Sequence, residues 1–424
     1  MLVISRTGFG STWRKLHDHR HRRRKLRFLR SHDSGEHVMR TLAATTLAIA
    51  VVTLTACASG EAGQTNSAST EVAATQGSLE SAILPIVNEQ MEEMGIPGVV
   101  AVVVSPDRGT YEVAAGVANI DTNEPMKVEN HFRIGSISKT LTATVVLQLA
   151  QEGKFGLDDP LAPYFPALDT NGATIRQALN MTSGIPTYTP DQFLNDLANN
   201  PARVWTPEEL LATTVGQPAE FAAGDGWDYS NTNYVMLGLI AEQHGGASLG
   251  KLVADRIFTP LQMTGCSMPA QADSTIPAPY SHGYQYGPTW DNPSPPAPKP
   301  DLIDVTNFNP SWGFGAGEAI CTAADMAIWA RALVAGDLLD PEMQGERLDF
   351  VTEGAMPYGL GIAKLNGLTG HQGHITGYQT QTSSRASDGT VIVVLTNVTQ
   401  APDGELPATK ISELISRAIP AQDK

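Results

Sequence analysis

The chain has 424 residues, with 28 Lys and Arg against 44 Asp and Glu for a net charge of −16, and three cysteines. That charge is unevenly spread: residues 1–56 carry 11 basic and 3 acidic side chains, net +8, whereas residues 57–424 carry 17 and 41, net −24. So acidic a body argues against nucleic acid as a partner and against electrostatic adhesion to anionic lipid.

The basic part leads into an uncharged apolar run, Thr41 to Ala56, too short to span a bilayer and of the right length for a signal-peptide core. It ends Leu54-Thr55-Ala56-Cys57, a small-residue cleavage site that resembles a bacterial lipoprotein signal. Diacylation of Cys57 then anchors the protein outside the cytoplasm, since two acyl chains hold stably where one does so marginally. Without acylation the expectation is a secreted protein. Met39-Arg40 directly precedes the run, which makes the His- and Arg-rich segment His17 to Arg30 an upstream extension to be left out of fold reasoning. With Cys57 lipidated, Cys266 and Cys321 remain as an even pair in an oxidising compartment; a disulfide is predicted, two separate buried thiols being the alternative.

Residues 57–78 are small and polar without periodicity and read as a flexible tether, so the folded domain is expected over 79–424. Strand-like segments lie near its ends: Gly98 to Val104, Tyr111 to Val117, Gly359 to Leu365, Gly377 to Arg385 and Val391 to Asn397. Helical segments are predicted at Ile137 to Glu152, Ile175 to Asn180, Pro207 to Val215, Asn233 to His244, Thr322 to Ala335, with a Thr322-x-x-Asp325 cap, and Ala408 to Ile419. The fold class is therefore α+β: a sheet lobe built from both ends, about 79–135 and 350–424, interrupted by a mainly helical lobe, about 136–349. Ile276 to Asp301 holds eight prolines and reads as a long irregular excursion, either a flap over substrate or a passive loop.

Three short elements carry the chemistry. Ser136-Ile137-Ser138-Lys139 places a hydroxyl and an amine three residues apart, on one face of a helix, so Lys139 can take the Ser136 proton during attack on an acyl carbon. A helix opening at Ser136 also puts that oxygen at the positive end of the dipole, beside a free backbone N–H. Trp227 to Tyr234 offers the Tyr229 phenol and the Asn231 amide from one loop, and His371-Gln372-Gly373-His374 sits just ahead of a strand, its glycine permitting close approach of a substrate backbone. Each has a decoy or a bland reading: Ser248-x-x-Lys251 repeats the first spacing, and His244-Gly245-Gly246 repeats part of the third.

Ser136, Tyr229 and His371 in that order, 93 and 142 residues apart, resemble the serine β-lactamase and penicillin-binding protein superfamily. The likeness is to its D-alanyl-D-alanine carboxypeptidase and class C β-lactamase-like branch. It extends to Thr174 to Gly184, Pro260 to Thr264, Trp312 to Leu333 and Tyr358 to Gly361, nearly the whole folded region. Ser248 follows the Tyr-Ser-Asn element, which breaks the family order and leaves Ser136 as the nucleophile. The resemblance implies an antiparallel sheet flanked by helices and an acyl-enzyme path with no metal or cofactor. It also implies that Lys139 and Tyr229 move protons and that Asn231 holds the Lys139 amine or a substrate amide. His371 and Gly373 line the strand opposite Ser136, and the oxyanion lies between the N–H groups of Ser136 and His374. Which of Lys139 and Tyr229 is the base stays open.

His374 replaces the small hydroxyl residue common in peptidases, and His-Gln-Gly stands where class C β-lactamases usually carry Lys-Thr-Gly. Glu318 and Cys321 replace small or hydroxyl residues after Ala316-Gly317. The expected activity is a D-alanyl-D-alanine carboxypeptidase-like serine hydrolase acting on peptidoglycan stem peptides. A β-lactamase, esterase or D-amino-acid amidase of the same fold is the alternative, and a non-catalytic penicillin-binding lipoprotein the rival from another class. An α/β-hydrolase is set aside because the elements do not alternate as a parallel sheet requires.

Overall fold

The structure, a computed structural model, describes residues 67–287 and 301–421. The apolar run, Cys57 and the tip of the Pro-rich excursion, 288–300, lie outside the described residues. Two units are distinguished, Met1–Glu71 and Val72–Lys424, and the second contains every strand of the described residues.

The strands are β1 (Gly98–Ser105), β2 (Gly109–Asn119), β3 (Glu124–Pro125), β4 (Phe132–Arg133), β5 (Tyr284–Tyr286), β6 (Leu302–Asp304), β7 (Ile320–Cys321), β8 (Ala363–Leu365), β9 (Leu368–Ile375), β10 (Tyr378–Ser384) and β11 (Val391–Thr396). Seven of them form one antiparallel sheet in the order β3-β2-β1-β11-β10-β9-β8, while β4 pairs with β7 and β5 with β6. The helices are α1 (Ser67–Met94), α2 (Ser138–Gln151), α3 (Ile175–Leu179), α4 (Asp191–Asn199), α5 (Pro207–Ala212), α6 (Asn231–Gly245), α7 (Leu249–Val253), α8 (Ala323–Ala335), α9 (Pro341–Arg347) and α10 (Pro407–Ala418).

The two chain ends meet as expected, because β1 and β11 are nearly unbroken runs of Val, Ile and Leu that pair from Val99↔Thr396 to Val104↔Val391. Continuous rather than alternating apolarity means that both faces are covered. On one face Leu79, Ile83 and Val87 of α1 and Ile411 and Ile415 of α10 pack with Val99, Ala101, Val103, Ile392 and Val394. On the other lies α8, against β1, β10 and β11, its start capped by the Thr322 hydroxyl accepting from the Asp325 N–H. Helix α8 thus belongs to the sheet, although it falls inside the span expected for the helical lobe. The remainder of that lobe is built on α2, against which α6 packs.

Three expectations need correction. Residues 67–78, assigned to the tether, lie in α1. Ala, Glu and Gln there are good helix formers, and a helix nucleated on the packed Leu79 face extends through them at little cost. Helices α1, α4, α7 and α9, the short strands β3 to β7 and strand β9 have no counterpart among the expected elements. Strand β9, Leu-Thr-Gly-His-Gln-Gly-His-Ile, holds two glycines and polar residues that score poorly as strand, and its form comes from pairing with β10 from Thr369↔Ser384 to Ile375↔Tyr378. The segment expected as a strand from Gly359 begins at Ala363, since Gly361 turns the chain with φ +75°.

Candidate active site

Strand β4 delivers the chain to a single 3₁₀ turn, Gly135–Ile137, from which α2 starts at Ser138. Ser136 therefore precedes the helix by two residues rather than opening it. Gly135 adopts φ +53°, and a Cβ there would lie 2.7 Å from the His374 nitrogen; a Cβ on Gly373 would lie 1.9 Å from the Ile134 oxygen. These two glycines let β9 cross the serine turn at backbone contact distance. Hydroxyls secure the turn: Ser138 Oγ donates to Gly135 O at 2.7 Å and accepts from Ala319 N at 3.0 Å, and Thr380 Oγ1 donates to Ile134 O at 2.9 Å.

Lys139 lies on the first turn of α2, fully buried, with Nζ 3.0 Å from Ser136 Oγ and 2.8 Å from the Ala316 carbonyl. Burial drives its pKa well below that of a free lysine. Because a carbonyl only accepts, one N–H goes to Ala316, and the lone pair of the neutral amine is available to the Ser136 hydroxyl. The Tyr229 phenol hydrogen-bonds Ser136, its ring centroid is 4.9 Å from Lys139 Nζ, and burial raises its pKa so that it keeps its proton. Three residues remote in sequence thus converge, and burial displaces both the amine and the phenol toward their uncharged forms.

His371 is in β9 itself, not ahead of a strand, and is 3% exposed. Burial, with the nearby Lys139, lowers its pKa to about 3, so the ring is neutral. Its Nδ1 faces the Gln372 carbonyl and must carry the hydrogen; Nε2 then accepts from the Tyr358 hydroxyl at 2.9 Å. Sequence reasoning places Tyr358 only within a phrase of family resemblance and gives it no role. It also passes over Tyr234, whose ring centroid is 5.6 Å from Lys139 Nζ and whose hydroxyl donates to Leu179 O at 3.0 Å. His374 is neutral as well, its pKa lowered to about 4 by burial.

Asn231 does not take the expected role toward Lys139. It begins α6, and its Nδ2 donates to Thr189 Oγ1 at 3.0 Å while its N–H reaches Thr187 Oγ1 at 3.3 Å. The decoys fall away from the site. Ser248, which also sits at the centre of a Gly246-Ala247-Ser248-Leu249-Gly250 sequence, caps α7, and Lys251 pairs with Asp255 at 2.7 Å on the surface. His244 contacts the Tyr164 hydroxyl at 3.2 Å. Cys266 and Cys321 form a disulfide with Cα atoms 4.1 Å apart, tying the 260s loop to β7 and so to β4, the strand that leads into Ser136. Among the described residues no group of three or more His, Cys, Asp or Glu is placed to hold a metal ion.

A serine whose oxygen touches a buried amine and a phenol, beside strand β9 of an antiparallel sheet flanked by helices, defines the serine β-lactamase and transpeptidase class of fold. The family model described as Beta-lactamase matches residues 85–414, and the chain belongs to that family. It is 27% identical over 315 residues to penicillin-binding protein 4* of Bacillus subtilis (strain 168), covering 72% of this chain and 69% of that one. Among solved structures, a D-stereospecific amidohydrolase from a Streptomyces species matches at TM-score 0.66 and 31% identity, over 80% of this chain and 96% of the other. The D-amino acid amidase of Ochrobactrum anthropi SV3 complexed with D-phenylalanine matches at TM-score 0.70 and 25% identity, over 80% and 98%.

Proposed function

We propose that this protein hydrolyses amide bonds at D-residues through an acyl-enzyme, with D-alanyl-D-alanine stem peptides of the cell wall as its substrate class. The observation that carries the reading is the 3.0 Å contact between Ser136 Oγ and a Lys139 amine whose pKa burial lowers well below that of a free lysine. Lys139 takes the Ser136 proton as Oγ bonds to the carbonyl carbon. The resulting oxyanion is bound by the N–H of Ser136 and of His374, whose nitrogen the close packing of Gly135 brings beside the turn. Losing one such donor typically costs about 3 kcal/mol of transition-state stabilisation. Tyr229, still a phenol, gives its proton to the leaving amine and is reprotonated from the Lys139 ammonium, which leaves the amine neutral to act again as base when water attacks the ester.

A second reading, hydrolysis of D-amino-acid amides that lack a terminal carboxylate, is favoured by His374. A carboxypeptidase needs a charge or hydroxyl partner for its substrate's terminus, and a ring kept neutral down to about pH 4 supplies no charge there. The relatives whose names specify D-stereospecific amidohydrolase and D-amino acid amidase support the same direction.

The test is intact-protein mass spectrometry with labelled penicillin. It is paired with turnover of a D-Ala-D-Ala peptide, a D-phenylalanine amide, a chromogenic cephalosporin and a p-nitrophenyl ester. A mass increment lost in Ser136→Ala, with turnover of the peptide or the amide, supports the proposal. An unmodified protein favours a binding role, and turnover of the ester alone overturns amide specificity. We also propose lipidation at Cys57, on the strength of the Leu-Thr-Ala-Cys sequence after the apolar run. Release of the protein from membranes by Cys57→Ser is the expected result, and unchanged fractionation refutes it.

A further inference from the structure

Lys139 is aimed by two partners, the Ser136 hydroxyl and the Ala316 carbonyl, so whatever fixes Ala316 fixes the lysine. Ala316 lies in a tight turn in which Ala316 N donates to Gly313 O at 2.8 Å and Gly317 N to the same oxygen at 2.6 Å. Gly315, just before Ala316, has φ +66°, and a Cβ there would lie 2.5 Å from the Tyr234 backbone oxygen. Its carbonyl accepts from Thr142 Oγ1 on α2 at 2.7 Å. Its N–H donates to Glu318 Oε1 at 3.1 Å.

Glu318 is a costly choice for that last bond. Its side chain is 3% exposed, and no cation is among the groups that shift it. The ionisable groups that face it are Glu242 from α6 and Tyr188 from the loop before α4, neither of which compensates an anion. Glu242 spends Oε1 on Leu249 N at 2.8 Å, and Tyr188 donates to the Trp312 carbonyl. Burial raises the Glu318 pKa to about 8, so at neutral pH it is an uncharged acid.

We propose that Glu318 is a positioning residue: it holds the turn that presents the Ala316 carbonyl to Lys139 and so keeps the amine directed at Ser136. The inference rests on Lys139 acting as the base. Loss of the Glu318 proton leaves an uncompensated charge in the turn, which drives the turn toward water and favours a protonated, inactive Lys139. Activity therefore declines through the alkaline range in the native protein. Glutamine keeps the acceptor without the titration.

The experiment compares the native protein, Glu318→Gln and Glu318→Leu. It measures the rate of Ser136 acylation by a fluorescent penicillin, with kcat and KM for a p-nitrophenyl ester, across neutral and alkaline pH. Glu318→Gln should keep kcat within about twofold at neutral pH and lose the alkaline decline. Glu318→Leu should lower kcat by about tenfold or more with KM nearly unchanged. An alkaline decline that persists in Glu318→Gln, or full kcat in Glu318→Leu, overturns the inference while leaving the Ser136 reading intact. Independently of turnover, NMR titration of isotope-labelled Lys139 should show its midpoint raised by about one unit in Glu318→Leu. An unmoved midpoint overturns the inference even if no substrate is processed. Absence of acylation in the native protein overturns the functional reading instead.

Discussion

His371→Gln should change how stability depends on pH more than it changes stability itself. In the folded chain His371 titrates near 3 against an ordinary value of 6.5, because burial and Lys139 oppose its charge. Below pH 6.5 the unfolded chain therefore binds a proton that the native chain refuses, so stability falls as pH falls from 6.5 toward 3. Between about pH 7.5 and about pH 5 that difference amounts to roughly 1.5 units, or about 2 kcal/mol. Glu318 acts with the opposite sign: its folded pKa of about 8 lies above the ordinary 4.5, so the native chain holds the extra proton and acidification through that window stabilises it. The native profile is thus a sum of opposing slopes, and only the difference between native and variant isolates His371. Urea denaturation at the two pH values should show Glu318-driven behaviour in both proteins. The variant, weaker by about 1 kcal/mol at the higher pH for a disturbed bond to Tyr358, should gain about 2 kcal/mol relative to native at the lower. A difference that does not move with pH would refute a neutral, buried His371.

Lys139→Met should abolish acylation while leaving the thermal midpoint unchanged or raised. A buried amine with no carboxylate near it is replaced by an apolar chain of similar length, which offsets two lost hydrogen bonds worth about 1 kcal/mol each. Gly373→Ala places a methyl group 1.9 Å from the Ile134 oxygen and 2.2 Å from Thr380 Oγ1; a loss of about 3 kcal/mol in denaturation, with kcat reduced, is expected. Removing the disulfide by Cys321→Ser frees a loop with a sequence separation of 55 and should cost about 4 kcal/mol by the chain-entropy relation, read as a lower denaturation midpoint.

How much of the fold and site is legible in the sequence depends on how local each signal is. The valine runs of β1 and β11 announce buried strands without help, and Thr322-x-x-Asp325 announces a helix start that the structure realises. Ser136 and Lys139 are three residues apart, so one helical turn suffices to join them. Strand β9 is different: its glycines and histidines are strand only because β10 pairs alongside, and Gly373 is required by the serine turn that crosses it. Resemblance gives Asn231 the Lys139 amine or a substrate amide as partner, and in the structure its nitrogens bond the hydroxyls of the threonines at 187 and 189, more than 40 positions earlier. Contacts set by tertiary packing have no short-range pattern to betray them.

The site's ionisable groups share one property that no short motif expresses. Lys139, Tyr229, His371 and Glu318 are all displaced toward their uncharged forms, and for each the largest cause is burial rather than a neighbouring charge. A pocket assembled that way holds no fixed ion to compete with the charge that develops on the substrate oxygen, and in a poorly solvated site each N–H directed at that oxygen acts at greater strength than it would in water. The same arrangement lowers the Lys139 pKa through burial, with no cationic neighbour among the causes. It also confines activity to a window. On the proposed mechanism, acid charges Lys139 and removes the base. Alkali ionises Glu318 near pH 8, and the turn beneath the amine gives way. The acidic limit is set by a residue that contacts the nucleophile, and the alkaline limit by one that reaches it through a peptide carbonyl. A substitution at Glu318 should therefore move one limb of the profile and leave the other where it was.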